Sequence, residues 1–139
     1  MKKLLWTLPV VLALIFAACS SAPEKKNDAP DIVKSKGISE LSPVEARPGV
    51  EAAYSQFIDV RTPEEYAAGH AERARNIPLD TLTQNLDMLE KNEPVYLICQ
   101  TGRRSMQAAE ILRKAGYPQV ISIAGGTKAW EAAGLPMAK

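Results

Sequence analysis

The stretch VYLICQTGRRSMQAAEILRKAGY, residues 95–117, decides how this chain of 139 residues is organised. An apolar run at residues 95–99 predicts a buried strand. Apolar residues at helical spacing then predict a helix over about residues 105–115, and Gly116 is a typical helix stop. A strand, a short loop and a helix in this order form the first half of a βαβ unit.

The same alternation extends on both sides of this stretch. Apolar runs at residues 57–60 and 120–124 predict two further strands. The sequences SPVE and TPEE predict helix starts with capping boxes at Ser42 and Thr62. Leucines at helical spacing predict another helix over about residues 79–90. Strands that alternate with helices indicate an α/β fold with a mostly parallel sheet, whose ligands bind beyond the carboxyl ends of the strands.

The N-terminus has the composition of an export signal. Lys2 and Lys3 precede an apolar segment of 14 residues, which is too short for a stable membrane span and typical of a secretory signal. Small residues lie directly before Cys19, so the segment resembles a bacterial lipobox in which this cysteine is lipidated. The alternative is ordinary cleavage after Ala22, which would release a soluble protein. Both interpretations predict export.

The lipobox interpretation divides the chain into three parts. We expect a signal peptide over residues 1–18, a lipidated flexible tether over residues 19–37 and the folded domain over residues 38–139. In the lipoproteins that this one resembles, aspartate after the cysteine favours retention in the inner membrane, and this chain has Ser20 there. We therefore expect a lipid anchor in the bacterial cell envelope, on the periplasmic face of the outer membrane if the host has two membranes.

Charge and cysteine content narrow the classes of function. Seventeen basic residues stand against sixteen acidic ones, and the absence of a basic stripe disfavours a nucleic-acid partner. The chain has two cysteines. If Cys19 is lipidated, Cys99 is the one thiol of the domain and no internal disulfide can form. An unpaired thiol in an oxidising compartment has to be protected or used.

Cys99 has surroundings that would activate a thiol. It ends a predicted strand, as Asp59 nearly does in another, and a loop with Gly102 follows it. The neighbouring Arg103 and Arg104 and a helix start both favour the thiolate. Backbone N–H groups of such a loop can converge on an anion. The pattern predicts a thiolate in a small anion-binding loop, and the alternative is a core cysteine followed by two solvated arginines.

Three segments together resemble the rhodanese-type sulfurtransferase family. They are DVRTPEEYAAGHAERARNIP from Asp59, CQTGRRS from Cys99 and AGGTKAWEAAGLP from Ala124. The resemblance implies a three-layer α/β fold with a central, mostly parallel sheet of about five strands between helices. Two residues depart from the usual pattern: Ala71 replaces a larger aliphatic residue, and Arg73 replaces a glycine.

The resemblance also implies the chemistry and its participants. Cys99 would take a sulfane sulfur from a small sulfur-containing anion such as thiosulfate, hold it as a persulfide and pass it to a thiol or to cyanide. Neither a metal nor an organic cofactor is implied. The loop would hold the outer sulfur with its backbone N–H groups. Its residues are Gln100, Thr101, Gly102, Arg103, Arg104 and Ser105.

Other polar residues near these motifs have structural interpretations. Asp59 and Arg61 could polarise the site, but we favour an ion pair that supports the turn between strand and helix. His70, the one histidine of the chain, could be a general base, but we favour a structural hydrogen bond. The glycine pair at residues 125–126 predicts a turn with positive φ, and Trp130 is expected in the core.

Three other functions compete with sulfur transfer. Cysteine phosphatases resemble this loop but have five residues between cysteine and arginine, whereas four separate Cys99 from Arg104. The smaller ring of N–H groups suits one sulfur atom better than a phosphoryl group. Non-catalytic rhodanese-like binding modules typically lose the cysteine, which is present here. A carrier of polysulfide or sulfane sulfur has the same sequence features as a sulfurtransferase, so both stay open.

Overall fold

The computed structural model describes residues 37–139. The expected signal peptide, the lipidation site at Cys19 and residues 19–36 of the expected tether lie outside the described residues. Within residues 37–139, no helix is long and apolar enough to cross a membrane.

The described residues form strands and helices that alternate along the chain. The strands are β1 (Ile38–Leu41), β2 (Gln56–Asp59), β3 (His70–Ala71), β4 (Arg75–Asn76), β5 (Val95–Ile98), β6 (Val120–Ile123) and β7 (Met137–Ala138). The α-helices are α1 (Pro43–Val50), α2 (Pro63–Ala68), α3 (Arg103–Lys114) and α4 (Gly126–Ala132). Two 3-10 helices span Leu79–Gln84 and Leu86–Met88. The three predicted strands are confirmed to within one residue at each end.

The sheet confirms the expected fold class. Five strands pair in the order β1-β6-β5-β2-β4, and all four neighbouring pairs are parallel. β5 is the middle strand, so the residue after it lies between the ends of β2 and β6. A separate antiparallel pair joins β3 to β7. The order places Cys99 at the centre of the carboxyl edge of the sheet, where parallel α/β sheets bind ligands.

The two faces of the sheet support separate hydrophobic clusters. Successive strand residues point to opposite faces, so Leu97 packs with α3 and the 3-10 helices while Ile98 packs with α1 and α4. Both side chains are fully buried. Trp130 is buried in the second cluster and lies against Phe57 with ring centroids 5.2 Å apart, which confirms its expected place in the core. Helices on both faces explain why the central strand β5, with the sequence VYLI, is a continuous apolar run.

Both predicted capping boxes are present. Ser42 caps α1 together with Glu45, and Thr62 caps α2 together with Glu65. Each cap satisfies backbone N–H groups that a helix start leaves without partners.

The prediction of one helix over residues 79–90 was wrong. The segment forms two short 3-10 helices that meet at Asn85, whose φ of −118° and ψ of 21° are not α-helical. Its side-chain amide donates to the carbonyl oxygen of Thr81 at 2.7 Å, and the Thr81 hydroxyl donates to the carbonyl oxygen of Pro78 at 3.2 Å. Short polar side chains that bond to nearby backbone compete with an α-helix in this way. The leucine spacing did predict the buried side of this segment, since Leu82 and Leu89 are both buried.

Arg73 occupies a position that suits glycine. Its φ is 72°, in the left-handed region that costs a residue with a Cβ about 1–2 kcal/mol. Because Arg73 replaces the glycine that is usual in the family, the backbone is strained in the turn between β3 and β4.

Candidate functional site

Cys99 directly follows β5 and is 1% exposed. Its sulfur accepts a hydrogen bond from the backbone N–H of Gly102 at 3.1 Å. The thiol lies 3.7 Å from the hydroxyl oxygen of Ser105, to which it can donate. The sulfur is thus enclosed by the loop that follows it.

The helix after the loop begins earlier than predicted. It starts at Arg103, because Gly102 adopts a φ of 97° and turns the chain directly into α3. The Gly102 carbonyl oxygen accepts from the Ser105 hydroxyl at 2.9 Å and from the Met106 backbone N–H at 3.2 Å. Both arginines therefore belong to the first turn of α3, and the positive end of the helix dipole lies at the sulfur.

The pKa of Cys99 is lowered from its ordinary value. Burial is the largest influence and opposes ionisation, because it removes water from the charged form. Hydrogen bonds from the backbone and hydroxyl of Ser105, and from the backbone of Thr101 and Gly102, together outweigh it. These donors favour the thiolate, which is the nucleophilic form of the residue.

Arg104 is held by Glu65, which the sequence predicted as part of the capping box at Thr62 and not as a partner of the loop. Its guanidinium donates two hydrogen bonds to the carboxylate of Glu65, both 2.7 Å long. They lower the pKa of Glu65 to about 2, and they are the main cause that raises the pKa of Arg104. Arg103, by contrast, is exposed. The two adjacent arginines thus have different surroundings.

Asp59 and Arg61 form a buried ion pair beside the loop. Asp59 is fully buried and Arg61 is 7% exposed. The guanidinium binds both carboxylate oxygens of Asp59, at 2.7 Å for the terminal nitrogen, and also donates to the carbonyl oxygen of Gly69 at 2.7 Å. The pair therefore connects the end of β2 to the end of α2.

His70 contacts α2. Its Nδ1 lies 3.0 Å from the carbonyl oxygen of Tyr66, and its ring stacks on the Tyr66 ring at 3.7 Å between centroids. These contacts attach β3 to the preceding helix. The structural interpretation of His70 remains a prediction.

The glycine turn before α4 supports the loop from behind. The backbone N–H groups of Thr127 and Lys128 donate to the carbonyl oxygens of Cys99 and Gln100, at 2.7 and 3.3 Å. Gly126 has a φ of 60°, and a Cβ there would lie 2.1 Å from the Cys99 carbonyl oxygen. Positive φ at both turn glycines confirms that part of the sequence prediction. The close approach explains why the third motif contains a glycine at this position.

An open cleft of about 480 Å³ borders the start of the loop. Arg61 and Gln100 line it from one side, and Lys128 and Glu131 of α4 line it from another. Within residues 37–139, no group of three or more His, Cys, Asp or Glu side chains is placed to hold a metal ion.

This geometry agrees with a known family. The family model described as Rhodanese-like domain matches residues 42–133. That range is about two thirds of the chain, and the protein belongs to the rhodanese-like domain family.

Three curated relatives show the range of proteins that share this domain. The uncharacterized protein YqhL of Bacillus subtilis is 44% identical over 90 residues, which cover 65% of this chain and 70% of that protein. The thiosulfate sulfurtransferase GlpE of Vibrio cholerae is 31% identical over 63% of this chain and 83% of its own length. The putative sulfur carrier protein YrkF of Bacillus subtilis is 36% identical over 53% of this chain, but over 40% of its own length.

Solved structures show the same architecture. A rhodanese-like domain protein from Staphylococcus aureus has a TM-score of 0.61 at 36% identity and covers 66% of this chain and 89% of its own. A rhodanese-related protein from Thermoplasma volcanium has a TM-score of 0.64 at 27% identity, with coverage of 71% and 96%.

Substitution of Gly126 by alanine should disrupt the loop. Gly126→Ala adds the cost of a left-handed conformation to a clash with the Cys99 carbonyl oxygen, which together amount to about 2–5 kcal/mol of unfolding free energy. Gly134→Ala is the matched control, because Gly134 has a φ of 70° but nothing within 4 Å of its Cβ position. It should cost about 1–2 kcal/mol. Equal losses for both variants in urea unfolding would show that the close approach does not constrain the loop.

The Glu65–Arg104 pair should make stability depend on acid pH. Because the folded pKa of Glu65 is about 2 and the usual value is 4.5, the pair stabilises the fold above about pH 4.5, and this contribution is lost as pH falls toward 2. Glu65→Gln and Arg104→Ala should each flatten the pH dependence of the unfolding free energy in this range. An Arg104→Ala protein with the native slope would assign the effect to the Thr62 cap instead.

Proposed function

We propose that this protein is a sulfurtransferase that carries a sulfane sulfur as a persulfide on Cys99. The observation that supports this most directly is the sulfur itself. It is buried at the carboxyl edge of the sheet, yet it accepts a backbone hydrogen bond at 3.1 Å and its pKa is lowered. A buried thiol with these donors is an activated nucleophile and not an inert core residue.

The reaction needs two displacements at sulfur. The Cys99 thiolate attacks the outer sulfur of a donor such as thiosulfate, the sulfur–sulfur bond of the donor breaks, and sulfite leaves with the bonding electron pair. The persulfide then carries its negative charge on the outer sulfur. A thiolate or cyanide attacks that sulfur, and Cys99 leaves as a thiolate. The electrons balance across both steps, so no cofactor is required.

The loop is suited to a single extra sulfur. Four residues separate Cys99 from Arg104, and the helix start at Arg103 directs its free N–H groups toward this ring. Such donors stabilise a negative outer sulfur as they stabilise the thiolate.

The two arginines take different roles in this proposal. Arg104 keeps the loop and α2 together through Glu65, and its charge also interacts with the Cys99 thiolate. Arg103 is exposed, so we assign it the attraction of the anionic donor.

A sulfur carrier is the second candidate. The relative YrkF is named a putative sulfur carrier protein. A persulfide on a thiol that is 1% exposed would be shielded from solvent, as carriage to a partner requires. Both functions share the persulfide, and they differ in how fast small acceptors remove its sulfur.

Thiosulfate should add one sulfur atom to Cys99 and to no other residue. Intact-protein mass spectrometry of the treated protein, followed by peptide mapping, should show this adduct, and cyanide should remove it as thiocyanate. Cys99→Ser keeps the size of the side chain but removes the thiolate, so it should fold normally and gain no sulfur. Fast release to cyanide supports a sulfurtransferase and slow release supports a carrier. The absence of an adduct with every sulfane donor would contradict both.

We also propose that the protein is an exported lipoprotein, anchored through Cys19 in the cell envelope. The apolar segment and the small residues before Cys19 support this. Cys19→Ala should convert a membrane-bound protein into an uncleaved precursor or a soluble exported form, which fractionation and N-terminal mass spectrometry distinguish. If the host has two membranes, the anchored protein should fractionate with the outer one. A native mature protein that is soluble and begins at Pro23 would contradict the proposal.

A further inference from the structure

Ser122 is a polar residue inside an apolar strand. It belongs to β6, with the sequence VISI, and is fully buried. Its hydroxyl oxygen lies 2.8 Å from that of Ser105, which is also fully buried. A buried hydroxyl is costly unless it is hydrogen-bonded, so this contact needs an explanation beyond packing.

The contacts of Ser105 determine which hydroxyl is the donor. A serine hydroxyl has one proton and two lone pairs. Ser105 donates its proton to the carbonyl oxygen of Gly102 at 2.9 Å. The neutral thiol of Cys99 donates to the Ser105 oxygen at 3.7 Å. Because the proton of Ser105 is already used, the remaining contact at 2.8 Å has Ser122 as donor and Ser105 as acceptor.

When Cys99 ionises, Ser105 has to change from an acceptor to a donor in its hydrogen bond with the sulfur. The sulfur loses its proton and becomes an acceptor, so a lone pair of Ser105 would face a negative charge. Rotation of the Ser105 hydroxyl about its Cβ–Oγ bond can turn its proton from the Gly102 carbonyl oxygen to the sulfur. The hydrogen bond from Ser122 remains, and a hydroxyl that accepts one hydrogen bond becomes a stronger donor in the next.

We propose that Ser122 is a positioning residue, which holds and polarises the Ser105 hydroxyl so that it donates to the negatively charged sulfur of Cys99. The hydrogen bond of the Ser122 side chain goes to Ser105, so Ser122 acts on the sulfur through Ser105. The inference deepens the proposed sulfur transfer, since the same donor would support the thiolate when it attacks and when it leaves.

The charged groups of the neighbouring elements do not depend on Ser122. They are the ion pairs Asp59–Arg61 and Glu65–Arg104 and the exposed Arg103 and Lys128. Replacement of Ser122 alters none of these charges. A changed titration of Cys99 in a Ser122 variant would therefore come from the hydroxyl pair.

The experiment measures how the alkylation rate of Cys99 by iodoacetamide depends on pH, followed by intact-protein mass spectrometry from about pH 5 to about pH 10. Ser122→Ala should raise the midpoint by about 0.3–0.6 pH units, and so slow alkylation about two- to fourfold below the midpoint. Ser122→Thr restores the hydroxyl and should return the midpoint to the native value. Ser105→Ala, which removes the direct donor, should raise it further.

Two comparisons separate this role from a structural one. Ser55→Ala removes a hydroxyl that donates to the carbonyl oxygens of Val50 and Ala52, so it should lower stability without moving the midpoint. If Ser122→Ala does not fold, Ser122→Val and Ser122→Thr provide a pair of equal shape that differs by the hydroxyl, and their midpoints should differ by the same amount.

A native midpoint in Ser122→Ala, or equal midpoints in the valine and threonine variants, would overturn the proposal. The measurement needs no sulfur donor. It therefore decides the role of Ser122 even if the native protein forms no persulfide.

Discussion

A negative sulfur can remain inside this protein because hydrogen-bond donors replace the water that it loses. Cys99 is 1% exposed, and burial alone would raise its pKa. The donors come from Thr101, Gly102 and Ser105, on the turn and helix that follow the sulfur. Each donor requires the loop to keep one shape. Much of the remaining structure can be understood as support for that shape.

The support comes from two directions. From behind, Gly126 allows the turn before α4 to approach the Cys99 carbonyl oxygen closely enough for two backbone hydrogen bonds. From the side, Glu65 fixes Arg104 in the first turn of α3. The Glu65 carboxylate also accepts from the backbone N–H of Thr62, so one side chain caps α2 and binds α3. The carboxylate of Glu65 thus binds both Thr62 and Arg104, and so it supports the loop from outside it.

The fold could be predicted from the sequence where local signals were strong. The strand at residues 95–98 is a continuous apolar run, and the capping boxes at Ser42 and Thr62 satisfy helix starts by local contacts. Weak signals failed. β3, β4 and β7 have two residues each, too few for a period to be recognised. The leucine spacing of residues 79–90 reported a buried side and not an α-helix, because Thr81 and Asn85 bind the backbone there.

The site was predictable only in part, for a similar reason. Cys99 and its loop are contiguous, so one motif contained them. Glu65 and Arg104 are 39 residues apart, and nothing local indicates that a helix cap will also bind an arginine. Ser122 gives still less signal, since a single serine in VISI is compatible with any buried strand. The contact of Ser122 with Ser105 is visible only in the structure, where the parallel pairing of β5 and β6 places Ser122 beside the start of α3.

The same enclosure limits what can reach Cys99, the one free cysteine among residues 37–139. Oxidation of a cysteine proceeds from an accessible thiolate, and this protein has the thiolate character but little of the access. An attacking disulfide must bring a bulky group to the sulfur, whereas a sulfane donor has to insert one atom into the ring of N–H groups. The lowered pKa makes the sulfur reactive, and the enclosing loop restricts what it can react with. In the proposed function, this combination favours small sulfur donors over bulky disulfides as reaction partners of the Cys99 thiolate.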